Sequence, residues 1–579
     1  MAEFVAYKYM ETKTCQNCKK DFTIEVEDFN FYEKIKVPPP SWCPECRLVR
    51  RMLWRNFRSL FKRICGICGK NLVSMYREEK TKVVYCTECW NSDKRNPFLQ
   101  GCDYDFSRPF FEQMRELIIE SPFLYTYQAG NMIRSDYTNY SIDNKDCYLS
   151  FSITECENVL YSELIDKSKN VLDCYAVQKL ENSSYNISSD MNYNCHFVIE
   201  SSKCIDSYFL FDCVNCQNCC LSHGLRNQQY FFKNKKLSKE NYEKEILNLR
   251  LDTYSGFKKA EEIFDKIVER KAIHRYAQIY NSQNSIGDYI KNSKDVRCSF
   301  DVQRSENIFN CSRILEGCKD CYDDTGIASG ELIYESTAAS LNTYKQSFCY
   351  ISLGSRECEY SIICRNCNNC FACVGLTNAE YCIFNKQYKK EEYFEIVEKI
   401  KKHMNEMPYI DENGRIYKYG EFYPPNMSPF AYNLSTANDF LPSSKEEVLQ
   451  MGYPWDDRAL RNYNITIKSK DLPDSIKDVS DKILDEVIAC PNDGDQHFQC
   501  SSAYKIMSYE LQFYKDRKLP LPRYCPNCRH YQGLRFRNPI RLYERSCMHK
   551  GCVNKFQTTY TTDRPEILYC EKCYQQEVY

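Results

Sequence analysis

The chain has 579 residues, 37 of them cysteine and 18 glycine, with a 43% apolar and 14% aromatic fraction and 78 basic against 79 acidic side chains. This length excludes a single core, the composition excludes global disorder, and the scarcity of glycine argues against a glycine-rich phosphate cradle. Met1–Lys13 carries Glu3, Lys8 and Glu11 with no apolar core of a leader, and no run approaches the ~18 apolar residues of a membrane span, so we expect a soluble, cytoplasmic protein whose thiols serve metal rather than disulfides.

Residues 1–95 hold four Cys-x2-Cys knuckles, Cys15/Cys18, Cys43/Cys46, Cys65/Cys68 and Cys86/Cys89. A thiolate pair two residues apart is half of a tetrahedral zinc site, so sequential pairing of the knuckles predicts two sites in a double zinc cassette. The run Cys15-x2-Cys18-x3-Phe22-x-Ile24, Asp28-x2-Phe31-Tyr32, Pro40 and Cys43-Pro44-x-Cys46-Arg47 resembles the treble-clef zinc-ribbon family. The resemblance implies a first knuckle on a hairpin and a second that opens a helix, here over Arg47 to Phe61. The whole chain also resembles large cysteine-rich zinc-ribbon proteins of candidate-phyla bacteria. On such a helix Arg47, Arg51, Arg55, Arg58 and Lys62 share one face, interleaved with Trp54, Phe57 and Phe61. A stripe of this kind can neutralise phosphates or an acidic protein surface, which makes RNA or an acidic protein the candidate partner, with a simply solvated helix face as the alternative.

A connector with a helix is expected over 96–135. Residues 136–236 and 276–387 then read as two copies of one block: Lys145-Asp146 and Glu157-Asn158 recur as Lys294-Asp295 and Glu306-Asn307, and Cys213, Cys216 and Cys219 recur as Cys364, Cys367 and Cys370. The offset is 149 in the first pair of segments and 151 in the second. Cysteines stand at about nine-residue steps among short segments rich in Val, Ile, Tyr, Phe and Ser. Short β-type segments at a fixed small period predict a β-solenoid in two blocks, with cysteine as a small inward side chain. Helices are expected to cap or connect the blocks over 237–275, where Ser238 caps Lys239–Leu249 and a second helix covers Phe257–Arg275, and over 388–405. Cys364-x2-Cys367-x2-Cys370-x2-Cys373 approaches an iron–sulfur signature, and the alternatives there are a cluster, another zinc site or stacked core thiols.

After a mixed linker region at 406–489, residues 490–579 repeat the first cassette. Cys500, Cys525, Cys528, Cys547, Cys570 and Cys573 keep the spacings of Cys18, Cys43, Cys46, Cys65, Cys86 and Cys89, with Cys552 as the partner of Cys547. The position matching Cys15 is His497, a competent zinc ligand, with Cys490 as its competitor. The two cassettes carry formal charges of +7 and +5 around a middle of −13.

No HExxH, GxSxG or Walker loop occurs, and four-thiolate zinc sites leave no position for a substrate water. These features add up to a mainly β, multidomain, non-enzymatic scaffold with about four structural zinc ions. The alternative is a redox or metal-dependent enzyme built around Cys364 to Cys373.

Overall fold

The computed structural model describes residues 10–457 and 463–578; the reading of Met1–Lys13 falls, over residues 1–9, outside the described residues. The chain is mainly β and divides into two compact units, Met1–Tyr125 with Ala277–Asp456, and Thr126–Tyr276 with Asp457–Tyr579. Each unit therefore joins one terminal cassette to one β-rich segment from the middle of the chain. Among the described residues no helix is long and apolar enough to cross a membrane.

The middle segments form parallel ladders. In the second unit Glu157 pairs with Lys169, which pairs with Glu181, then Tyr193, Ile205, Gln217 and Gln229, a step of twelve residues each time. Within each step the pattern has a period of three. Every third residue, as in Cys147, Ser150, Ile153, Cys156, Val159 and Ser162, is buried. Every third residue on another register, as in Asn158, Tyr161, Leu164, Lys167 and Asn170, lies in the left-handed backbone region with φ between 48° and 61°. Each such non-glycine residue is disfavoured by roughly 1–2 kcal/mol. The ladder hydrogen bonds and the burial of the inward side chains must offset this.

Inward positions take small or aliphatic residues, chiefly Cys, Ser, Val, Ile and Leu, because each is enclosed by its neighbours. Their polar groups are satisfied within the ladder: the Ser162 Oγ accepts from the Cys174 N–H at 3.1 Å, and the Cys174 thiol donates to the Leu172 carbonyl at 3.3 Å. The same design serves the first unit, where Arg356 pairs with Asn368 and Asn368 with Glu380. There two steps lengthen to thirteen, Glu306 to Lys319 and Gly330 to Thr343. Those two extra residues account for the shift of the sequence offset from 149 to 151.

Helices lie against the ladders. Ser238 caps Lys239–Leu249 as expected, its Oγ accepting from the Asn241 N–H. The second helix runs over Tyr254–Arg270 rather than Phe257–Arg275. Thr253 provides an earlier cap, and Ile273–Arg275 is pulled into a strand that pairs with Ile567–Tyr569. Its buried Phe264 meets Phe197 and Phe209, both at 5.8 Å between ring centroids. In the first unit, Phe110–Glu120 and Lys390–Glu406 are helical.

Candidate metal centres

Each cassette presents its sulfurs in the same way. The hairpin Glu11–Thr14/Asp21–Ile24 leads into and out of Cys15 and Cys18, and Cys43 is the N-cap of helix Pro44–Met52, with Pro44 supplying the fixed φ that suits a first helical position. The hairpin Phe61–Ile64/Asn71–Ser74 carries Cys65 and Cys68, and Cys86 caps the short helix Thr87–Trp90. At the other end Cys525 caps helix Pro526–Leu534, hairpin Tyr543–Ser546/Lys555–Thr558 carries Cys547 and Cys552, and Cys570 precedes helix Glu571–Val578.

The sulfurs converge into four groups: Cys15, Cys18, Cys43 and Cys46; Cys65, Cys68, Cys86 and Cys89; Cys490, Cys500, Cys525 and Cys528; and Cys547, Cys552, Cys570 and Cys573. Within each group all sulfurs lie within 4.8 Å of one another. Individual separations are 3.7 Å for Cys18–Cys43, 3.8 Å for Cys65–Cys86, 3.7 Å for Cys490–Cys528 and 3.8 Å for Cys552–Cys570. Four ligands ~2.3 Å from a tetrahedral centre stand about 3.8 Å apart, so these spacings fit a metal–thiolate site. They are far too long for disulfides, and all 37 cysteines are free.

Donors surround the sulfurs as thiolates require. The Cys43 N–H points at Cys15 (3.2 Å), the Cys525 N–H at Cys490 (3.4 Å) and the Cys570 N–H at Cys547 (3.3 Å). Burial alone raises the Cys570 thiol, but the Asn554 amide and the Cys573 backbone pull it down to about 6.

The third group corrects one expectation. Its fourth sulfur is Cys490, and His497 is not a member; the His497 backbone N–H binds the Asp495 carboxylate and its ring lies edge-on to Phe498. Counting back from Cys500 at fixed spacing leads to His497, but the first knuckle here is lengthened from three positions to ten, and His497 sits in the added loop. The identifying signal was in the sequence: Cys490-x-Asn492 mirrors Cys15-x-Asn17, and the Asn492 and Asn17 amides both donate to a sulfur of the second knuckle, Cys528 at 3.2 Å and Cys46 at 3.4 Å.

A second correction concerns the basic stripe. The helix ends at Met52, nine residues short of Phe61, and Phe61–Ile64 is a strand. Arg47 (2% exposed), Arg51 (0%), Arg55 (4%) and Arg58 (7%) are buried, as is Arg50 (0%); Lys62 is exposed. Arg47, Arg50, Arg51 and Arg55 face the protein's own ladder instead of solvent, Arg55 donating to the Thr325 carbonyl at 3.2 Å. Arg47 pairs with Asp323 at 2.8 Å; Arg50 bridges Glu335 at 2.8 Å and Glu421 at 2.9 Å and lies 4.5 Å from the Trp42 ring; Arg51 stands 3.6 Å from Asp323 and 3.7 Å from Glu335. Burial pushes the Glu335 carboxyl up, and Arg50, Arg51 and Arg47 act against that rise. The second unit repeats the first of these contacts: Arg529, 482 positions after Arg47, pairs with Asp173 at 2.9 Å and with Glu510 at 3.3 Å. Sequence reasoning missed Asp173, Asp323, Glu335, Glu421 and Glu510, because single acids in a β-rich segment carry no signal of which distant arginine they will meet.

Cys364, Cys367, Cys370 and Cys373 do not form a metal group. They are successive inward positions of the three-residue period, buried in one core cluster with Cys349, Cys358 and Cys382. Their thiols donate to backbone carbonyls, Cys367 to Arg365 at 3.5 Å and Cys373 to Cys382 at 3.4 Å. Among the described residues, the four groups above are the sets of three or more ligating side chains close enough to share an ion. No protein-family model matches the chain, and no curated protein matches it.

Proposed function

We propose that the protein is a non-enzymatic scaffold in which four structural Zn²⁺ ions, held by the four tetracysteine groups, organise treble-clef-like cassettes that dock onto two β-solenoid blocks. The observation that carries this reading is the geometry of the sulfurs: four closed sets of four, spaced for tetrahedral thiolate ligation. Sulfur donors alone favour zinc or iron over magnesium or calcium, and a site filled by four thiolates has no open position for substrate. The ion holds each knuckle helix at a fixed angle, and that helix delivers Arg47 or Arg529 to a buried aspartate on the ladder. Zinc thus serves docking as well as local folding. The solenoid reading rests on the twelve-residue parallel register and the inward period of three. The buried Arg47, Arg51, Arg55 and Arg58 take no part as partner contacts.

Elemental analysis of protein purified without oxygen tests the proposal. About four zinc ions per chain and no visible colour are expected, and chelation should release the cassettes while the ladders keep their β signal. Iron with acid-labile sulfide, or cassettes unchanged after metal removal, would overturn it.

A further inference from the structure

One position beside the ladder differs between the units. In the unit built on Met1–Tyr125 and Ala277–Asp456, the knuckle helix continues from Arg47 to Arg50 and Arg51, whose guanidinium groups fill the space next to Asp323 and Glu335. In the other unit the counterparts of Arg50 and Arg51 are Gln532 and Gly533, and Tyr185 stands where Glu335 does, 150 positions away. What the arginines occupy in one unit is open in the other. A cavity of about 80 Å³ lies there, lined by Asp173, Tyr185, Tyr254, Phe257, Arg523 and Gly533 among others. A water needs ~10–15 Å³ on this measure, so the space holds roughly six, about the extent of one six-membered ring.

Two features give the cavity a chemical character. Gly533 lies in helix Pro526–Leu534, and a Cβ built on it would meet Ile187 Cδ1, on the cavity wall, at 3.3 Å. The missing side chain is what keeps the wall open, at a helix position where glycine is disfavoured by roughly 0.5–1 kcal/mol. The second feature is charge. Arg529 is answered by Asp173 and Glu510, Arg535 by Glu261 and Asp265, and Lys258 by Glu261. Arg523, only 8% exposed, donates to the Ser469 carbonyl at 2.8 Å and the Pro473 carbonyl at 3.0 Å and lies 4.7 Å from the Tyr254 ring centroid. No carboxylate among the described residues stands in ion-pair contact with it; Asp474 acts on it only through space, so two carbonyls and a ring, not a carboxylate, hold this guanidinium at the cavity wall. With Tyr185 replacing Glu335, the acid that holds a guanidinium in the first unit is also gone.

We propose that this cavity binds a small planar aromatic carboxylate, its ring against Tyr185, Tyr254 and Phe257 and its carboxylate on Arg523. The site does not depend on the scaffold reading. Ligand-observed NMR and calorimetry on the full zinc-loaded chain, with benzoate, benzamidine and cyclohexanecarboxylate as probes, test it. Benzoate should bind at about millimolar Kd or tighter, ahead of the planar cation and the non-planar acid. Gly533→Leu, which fills the space, should abolish binding, and Arg523→Gln should weaken it about tenfold, with zinc content and circular dichroism unchanged. If either variant loses zinc, the wild-type ranking of the three probes decides. Preference for benzamidine, indifference to Gly533→Leu in folded protein, or no benzoate binding at about 10 mM would each overturn the proposal.

Discussion

Helices Pro44–Met52 and Pro526–Leu534 begin alike and end differently. Both start on a metal-site cysteine with proline at the first helical position, and both send the arginine after the last knuckle cysteine to an aspartate on the ladder, Arg47 to Asp323 and Arg529 to Asp173. Beyond that point one unit places two more guanidinium groups among Asp323, Glu335 and Glu421, and the other places Gln532 and Gly533 near an aromatic wall. Docking is thus separable from what fills the space behind it. A buried charge network fixes geometry through its hydrogen bonds more than it adds net stability, because desolvation offsets most of the attraction. The aromatic solution leaves room.

That contrast can be broken most forcefully at the metal sites. On the proposed zinc ligation, Cys43→Ser should lose one of four ions and, with it, folding free energy of order 10 kcal/mol for its cassette. Hydrogen-exchange mass spectrometry should then show lost protection at ladder residues 319–335 and retained protection at 169–185, with Cys525→Ser giving the reverse; equal losses in both segments would show that docking is not local to each unit. Next in size, Glu335→Gln leaves Arg50 with Glu421 and Arg51 with Asp323 as their remaining carboxylates and should destabilise its unit by up to about 3 kcal/mol in denaturant melts. Tyr185→Phe at the matching position, which removes a hydroxyl and no charge partner, should cost at most about 1 kcal/mol.

Acid should separate the units as well. Burial lowers His196 to about 3 and His274 to about 4, so both are neutral in the folded second unit. The unfolded chain takes up those protons below about pH 6.5, which means stability is lost as pH falls from there toward 3–4, at up to about 1.4 kcal/mol per pH unit for each histidine. His196→Asn should reduce that slope relative to wild type, and thiolate protonation, common to both proteins, cancels in the difference. The smallest effect is expected from Gly533→Ala, where a helix-propensity gain of at most about 1 kcal/mol is set against the 3.3 Å approach of the new Cβ to Ile187 Cδ1, so the melting temperature should move little.

Much of this architecture was legible in the chain. Cys-x2-Cys pairs announce candidate metal sites because two thiolates at that spacing can reach one ion, and Ser238 announces its helix because its side chain caps the next turn. The fourth ligand of the third site was obscured by a lengthened loop, and only the Asn492 amide marked Cys490 as the equivalent of Cys15. The arginine stripe misled because a basic helical face looks the same whether its counter-charges are phosphates or distant acids of the same chain. The nine-residue steps of the middle cysteines were a multiple of the true inward period of three, which also explains Cys364 to Cys373 without a cluster. The left-handed residue at every third position was hidden, because tyrosine, leucine and lysine hold it beside the asparagines and aspartates that favour it.

The twelve-residue register makes ladder length a counted quantity. A duplication or loss of twelve residues returns every inward side chain to an inward place, so whole twelve-residue steps of the ladder can be gained or lost without redesigning the interior. A single added residue has to be absorbed where it falls. The first unit does this twice, near Gly317 and at Leu341-Asn342, with left-handed residues on the detour. Homologues of this chain should therefore differ in the length of their middle segments by multiples of twelve, with odd remainders confined to such detours.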